Sequence, residues 1–236
     1  MLSIIIPALN EEKYLSLLLD SIKKQSFKNY EIIVADAGSK DKTLEIARSY
    51  GCKIIKGGLP AKGRNEGAKI AKKDLFLFLD ADVILPPDFL ADAIGEFQKQ
   101  KLGIATFYFV FSGKKIDKFF SDAYNSWVKM TKSFLPHAVG STLLVRKSVH
   151  NAIGGFDEEI MLAEDHAYAR KAKKIAKYGF LETQPVLTSS RRLAQEGRIK
   201  VCLKYILAEL HMVSLGPIKS DVFKYKFDHY SKKRKN

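Results

Sequence analysis

Cysteine is scarce. Cys52 and Cys202 are the only two in 236 residues. They stand far apart without metal-ligand spacing, which excludes a disulfide-stapled scaffold and leaves free thiols in a reducing compartment. No apolar run approaches the roughly 18 residues that a bilayer span requires. The opening Met1-Leu2-Ser3-Ile4 has no basic n-region and enters a strand at once, so no signal peptide is read and a cytoplasmic place is expected. Where a dinucleotide fold would carry Gly-x-Gly-x-x-Gly, this chain has Pro7-Ala8-Leu9-Asn10-Glu11-Glu12. A Walker-type lysine loop and a Gly-x-Ser-x-Gly elbow are also missing. There is no internal repeat and no low-complexity linker that would split the chain.

What remains is an ordinary globular composition, 46% hydrophobic and 28% charged, with a net charge of +14. The charge is uneven. Residues 167–236 hold 17 Lys/Arg against 5 Asp/Glu, which is +12 of that total. Such a basic third suits an anionic partner, although Lys outnumbers Arg 32 to 8 and a lysine-rich surface alone says little.

The pattern of elements is more informative. Leu75–Leu79, Leu-Phe-Leu-Phe-Leu, lacks alternation and reads as a strand buried on both faces. Strands at Leu2–Ile6, Glu31–Ala35 and Lys53–Ile55 precede it, each followed by a helical segment. Asn10 is placed to cap the first helix, over Glu11–Gln25. Three β–α units followed by a fourth strand predict an α/β fold with a mainly parallel central sheet flanked by helices. Further on, strands are expected at Ile104–Phe111, Thr142–Val145 and near Pro185–Thr188, with helices over Lys115–Phe134, Ser148–Ile153 and Glu164–Tyr178. Glu196–Leu215 reads as one amphipathic helix ahead of a basic tail.

Ligands of open α/β sheets sit beyond the carboxyl ends of the strands. Asn10 and Glu11, Asp36, and the pair Asp80 and Asp82 all fall there. That set suits a nucleoside held through base and ribose, with a hard cation such as Mg²⁺ or Mn²⁺ on its phosphates. Taken singly the positions are weak, since Asn10 also caps and Asp36 also turns.

Four segments then match one family in order. They are Ser3-Ile4-Ile5-Ile6-Pro7-Ala8-Leu9-Asn10-Glu11-Glu12, Ile33 to Thr43 through Asp36-Ala37-Gly38, Gly63-Arg64-Asn65-Glu66-Gly67-Ala68, and Phe78-Leu79-Asp80-Ala81-Asp82. Gly154-Gly155-Phe156-Asp157-Glu158 and Glu164-Asp165 follow. Together they resemble a family 2 glycosyltransferase of GT-A fold, over about residues 2–192. The resemblance implies transfer of a sugar from a nucleotide-diphosphate sugar donor to an acceptor hydroxyl, with inversion and a divalent metal. It implies one GT-A domain over 1–192, its nucleotide-binding part about 1–100 and its acceptor part about 101–192, then a C-terminal helix and tail over 193–236.

Residue by residue, the resemblance has Pro7, Ala8, Asn10 and Glu11 bordering the nucleotide and Asp36 meeting the base. Arg64 and Asn65 would close over the nucleoside. Asp80, with Ala81 beside it, would face ribose or sugar, Asp82 would hold the metal, and Asp165 would be the general base. Arg191 and Arg192 match a stretch that lies near the leaving diphosphate in some members. The bland reading of Glu164 and Asp165 is helix-dipole stabilisation, and that of the arginines is an exposed basic surface. His137 and His166 are not assigned to the metal.

Two other classes compete. Nucleotidyl transfer would release pyrophosphate, but it needs a basic glycine-rich loop where this chain carries acids. A nucleic-acid binder is suggested by charge alone, and the basic region lacks an RNA-binding aromatic signature. The acceptor stays open, a lipid-linked hydroxyl among the options. For the C-terminal helix, packing on the catalytic domain is favoured slightly; for the tail, with Lys224, Lys226, Lys232, Lys233, Arg234 and Lys235, contact with an anionic inner membrane face is favoured.

Overall fold

A computed structural model describes residues 1–138 and 142–223 of the chain. Its first half alternates strictly: β1 (Leu2–Ala8), α1 (Leu15–Lys23), β2 (Tyr30–Asp36), α2 (Thr43–Ser49), β3 (Lys53–Lys56), α3 (Pro60–Ile70), β4 (Leu75–Leu79). There follow β5 (Val83–Ile84), α4 (Phe89–Lys99), β6 (Ile104–Ser112), α5 (Lys115–Thr131), β7 (Thr142–Arg146) and α6 (Lys147–Ala152). The chain then forms α7 (Glu164–Lys173), β8 (Tyr178–Ser189), α8 (Arg191–Glu196) and α9 (Arg198–Ser214).

The eight strands of the described residues form one sheet in the order β3-β2-β1-β4-β7-β6-β8-β5. The half built from β3, β2, β1 and β4 is parallel as expected. Beyond it the sheet is mixed rather than mainly parallel, because β7 runs antiparallel between β4 and β6. β4 is buried on both faces along its whole length, as its unbroken apolar run requires. One face of the sheet covers a large cluster that gathers Ile4 and Ile6 of β1 with Phe89 and Phe107, and the other covers Ile5, Phe76, Phe78 and Tyr168.

Several boundaries differ from the sequence expectation, each for a local reason. Asn10 does not cap a helix: it sits at φ 55°, its side chain accepts from Lys40 N at 2.9 Å, and α1 begins only at Leu15. β8 is far longer than the expected stretch. Polar Glu182-Thr183-Gln184 and Pro185 interrupt its apolar pattern, and the structure absorbs them as an irregularity between the pairs Phe107–Leu181 and Phe109–Val186. The helix expected over Glu196–Leu215 is α9, which starts two residues later at Arg198. The unexpected short helix α8 precedes it and is parted from it at Gly197, whose φ of 92° no helical residue adopts. The stretches at Gly140-Ser141 and Lys224–Lys235 lie outside the described residues.

Close approach of α3 to β1 sets up the site. A Cβ at Gly67 would stand 2.4 Å from Ile5 Cγ2, and one at Gly63 3.1 Å from Pro7 Cβ. Ile5 is fully buried and β-branched, so it cannot turn away. Gly67→Ala is therefore expected to destabilise the fold by about 1–3 kcal/mol, the overpacking cost exceeding the helix-propensity gain. Chemical denaturation measures it; a variant more stable than the parent would show that the helix can shift outward freely.

Candidate active site

The carboxyl ends of β1, β2 and β4 place Glu11, Asp36, Asp80 and Asp82 along one edge of the sheet. Two arginines from distant parts of the chain organise these acids. Arg191, opening α8, donates to both oxygens of Glu11 at 2.6 and 2.7 Å, and its Nε lies 3.1 Å from Asp82 Oδ2. Its guanidinium also lies 5.0 Å from the centre of the Tyr14 ring. The arginine is largely buried, so the exposed-surface reading fails for it.

Arg64, on α3 and 3% exposed, donates to Asp80 Oδ1 at 2.9 Å and to Glu164 Oε1 at 2.6 Å. Phe156 lies 5.3 Å beneath its guanidinium and stacks in turn on Tyr168 at 3.9 Å. One side chain thus ties Asp80, just after β4, to the start of α7, where Asp165 stands. Asn65 beside it donates to Phe156 O and Glu158 Oε1 and accepts from Phe156 N, all at 2.9 Å. In this structure Asn65 braces the 155–158 turn.

Asp36 Oδ2 accepts from the amides of Gly38 and Ser39 at 2.8 and 3.0 Å. Its Oδ1 is buried with no hydrogen-bond partner among the described residues, an acceptor waiting for a donor. Pro7 and Ala8 pair with Ala35 and Asp36 and form the floor between β1 and β2. Ala81 is buried between its two acids, while Arg192 is half-buried next to Arg191. A small cleft lined by Tyr14, Leu17, Val83 and Ser189 opens beside Asp82.

The electrostatics of this cluster are those of excess negative charge. Burial pushes the carboxyls of Glu11, Asp80 and Asp82 above the ordinary range. Arg191 pulls Glu11 and Asp82 down, Arg64 pulls Asp80 down, and the neighbouring acids push all three back up. Asp80 keeps 38% of its side chain in solvent, which screens part of this repulsion. Asp165 is raised as well, mainly by burial, with His166 and Arg64 opposing and Glu164 adding. Its Oδ1 accepts from the His166 amide at 2.8 Å. The turn before it is held at Ala163, φ 60°, and pinned where Met161 N meets Ile218 O at 2.8 Å.

Behind Asp165 lies a group that the sequence reading missed. Glu209 of α9 faces His137 Nε2 at 3.1 Å, His166 Nδ1 at 3.2 Å and Arg170 Nη2 at 2.5 Å. Burial alone would raise its carboxyl, but bonds from the two histidines outweigh it and hold the group well below the usual range. The ligand-type atoms of His137, His166 and Glu209 lie within 4.8 Å of one another. Each imidazole already has a second partner, Thr131 Oγ1 at 3.5 Å and Tyr124 Oη at 3.3 Å. The cluster is a clamp joining α9 to α5 and α7. A lone glutamate in a basic, apolar helix was the signal for it.

A parallel α/β half with an acidic sheet edge, joined to a mixed half that carries a further acid, is a GT-A architecture. Solved structures of that class superimpose on this chain. A Staphylococcus aureus TarS structure (residues 1–349, in complex with UDP-GlcNAc) matches with TM-score 0.67 and 23% identity, over 89% of this chain and 66% of that one. The mannosyltransferase PcManGT of Pyrobaculum calidifontis, solved with GDP-Man and Mn²⁺, matches with TM-score 0.70 and 17% identity, over 91% and 64%. In sequence, an uncharacterized glycosyltransferase of Rickettsia typhi is 33% identical over 70% of this chain and 56% of its own length. The poly(ribitol-phosphate) β-N-acetylglucosaminyltransferase TarS of S. aureus is 28% identical over 72% of this chain and 32% of that protein. The matched region thus spans from about a third to just over half of these relatives. The family described as Glycosyl transferase family 2 matches residues 3–154, and the chain belongs to it.

Proposed function

We propose that this chain transfers a sugar from a nucleotide-diphosphate sugar to an acceptor hydroxyl, with inversion and with Asp165 as general base. The observation that carries the reading is the Arg64 bridge, which sets Asp80 beside the first turn of α7, where Asp165 stands. The relatives add support, since the TarS structure was solved with UDP-GlcNAc and PcManGT with GDP-Man and Mn²⁺.

The orphaned Asp36 Oδ1 suits a donor group on the nucleotide base, with Pro7, Ala8 and Asn10 beside it. Three carboxylates raised by burial and by one another fit a divalent cation of hard oxygen preference, Mn²⁺ or Mg²⁺, at Asp82. When bound, the metal would offset charge on the diphosphate. Asp80 would hydrogen-bond the ribose or the sugar. Asp165 takes the proton of the acceptor hydroxyl, whose oxygen forms a bond to the anomeric carbon from the face opposite the diphosphate. The old carbon–oxygen bond breaks, and its electron pair leaves on the diphosphate. Arg191, with Arg192 beside it, would swing from Glu11 and Asp82 to that developing charge. The acceptor hydroxyl belongs to a lipid-linked molecule or a cell-envelope glycan.

Chelation tests the metal half. Excess EDTA is expected to abolish transfer, and Mn²⁺ or Mg²⁺ to restore it. Undiminished turnover in EDTA would remove the metal from Asp82. Release of pyrophosphate in place of nucleoside diphosphate would point to nucleotidyl transfer.

A further inference from the structure

The outward faces of α5 and α9 are apolar. On α9, Ile199, Leu203, Ile206, Leu210 and Val213 follow a 4-3-4-3 spacing and are 53% to 72% exposed. Only Val201, Ala208 and Met212 of this helix are buried, against small clusters on the domain. Of the residues read as the stripe, Ile199, Val201, Cys202, Tyr205, Ile206, Leu210 and Val213, only Val201 is buried, so the expected packing on the catalytic domain fails for most of them. The helix packs through Ala208 and Met212 instead. On α5 and just past it, Ile116, Phe119, Trp127, Met130 and Phe134 form a second stripe, 46% to 76% exposed.

The two stripes border one seam. Arg198 meets Asp117 at 2.6 Å at one end, next to Ile199 and Ile116. Glu209 meets His137 at 3.1 Å at the other, next to Leu210 and close in sequence to Phe134. A patch of this extent is rare on a surface that faces only water.

Charge selects the occupant. The exposed ionic side chains of α5 and α9 are Lys115, Lys118, Lys129 and Lys200, and no acid of either helix is exposed. Asp117 and Glu209 point inward to Arg198 and to the histidine clamp, and Asp122 bonds Tyr108 at 2.5 Å. A second copy would bring lysine against lysine, whereas a helix-pairing partner normally meets charges of both signs. Lys129 is paired with Glu182 at 2.8 Å, which leaves Lys115, Lys118 and Lys200 beside the apolar stripes. Apolar residues edged mainly by cations match an anionic lipid interface, where the side chains enter the acyl boundary and the lysines meet headgroup phosphates.

We infer that the α5–α9 face is a peripheral docking surface for an anionic membrane. The seam ends at the candidate active site. Glu209 of α9 meets His166 Nδ1 at 3.2 Å, so α9 packs against the residue that follows Asp165. If Asp165 is the base, as proposed above, docking would present a headgroup hydroxyl to it. The docking itself does not depend on that role.

The test is flotation of the full chain with phosphatidylcholine vesicles, with and without phosphatidylglycerol, at low and high salt. The parent is expected to float with the anionic vesicles at low salt and to be released at high salt. Ile206→Glu/Leu210→Glu and Phe119→Glu/Met130→Glu remove only exposed side chains, so thermal stability should be kept while binding drops by more than about tenfold. A version lacking residues 224–236 should retain binding that these pairs abolish. Unchanged flotation of both double variants would overturn the inference, as would equal binding to neutral vesicles. A concentration-dependent dimer broken by the same substitutions, without vesicle binding, would assign the face to a second copy and overturn it too. Undiminished transfer in EDTA, or in Asp165→Asn, would overturn the proposed chemistry and leave the flotation result untouched, so the two readings fail separately.

Discussion

Asp165→Asn is expected to lower turnover by about 10²–10⁴-fold while donor affinity changes little, the signature of a lost general base. The substitution keeps the side-chain shape and the oxygen that accepts the His166 amide, so the start of α7 should be unchanged. What it removes is a place for the acceptor's proton. The pH profile provides a second readout. Burial raises the Asp165 carboxyl, so in the parent the base is lost at a higher pH than an ordinary aspartate would give. The acid limb of the turnover profile should therefore lie above the usual carboxylate range and should vanish in the variant.

Stability separates this outcome from misfolding. A carboxyl whose folded pKa exceeds its unfolded value leaves stability intact below the unfolded pKa and withdraws it as pH rises through the folded one. Asp165→Asn cannot ionise, so at pH 8 the variant should be at least as stable as the parent. Turnover near the parental rate would end the assignment of Asp165. Lost stability at pH 8 would show that its charge holds the fold together.

The parallel half of the molecule was legible because its cues are local. An unbroken apolar run such as Leu75–Leu79 signals a covered strand wherever it occurs, and an acid just after it falls at the sheet edge. The mixed half was less so. Glu182 to Pro185 break the pattern of β8, and only pairing with β6 shows that the strand continues past them. The arginines were visible as residues but not as bridges. Arg191 reaches Glu11 across 180 positions, and Arg64 reaches Glu164 across 100, distances at which sequence spacing carries no geometry. Glu209 was hidden by its surroundings. In a helix read as an apolar stripe with cationic flanks, one acid passes for a solubilising residue until His137 and His166 are seen against it.

Arg64→Met is expected to cost about 3 kcal/mol of folding stability, read as a fall in Tm of roughly 6–12 °C. Arg64 is 3% exposed between Asp80 and Glu164, and methionine keeps most of its volume while deleting the charge. Glu164, 12% exposed, would be left as a buried carboxylate without its cation. Asp80 contributes less, because solvent reaches 38% of its side chain and screens the loss. The cost should depend on pH. Without Arg64 the Asp80 carboxyl loses the cation that opposes its upward shift, so its folded pKa climbs further. A raised carboxyl withdraws stability as pH rises, and the variant should fall further behind the parent at pH 8 than at pH 5. Arg64→Lys should recover only part of the loss, since one ammonium cannot reach both acids as the guanidinium does. Removing the orphaned acids as well, in Arg64→Met/Asp80→Asn/Glu164→Gln, should return much of it without returning activity. Equal destabilisation of Arg64→Met at both pH values would mean that the lost packing against Phe156, rather than the two carboxylates, explains why this arginine is buried.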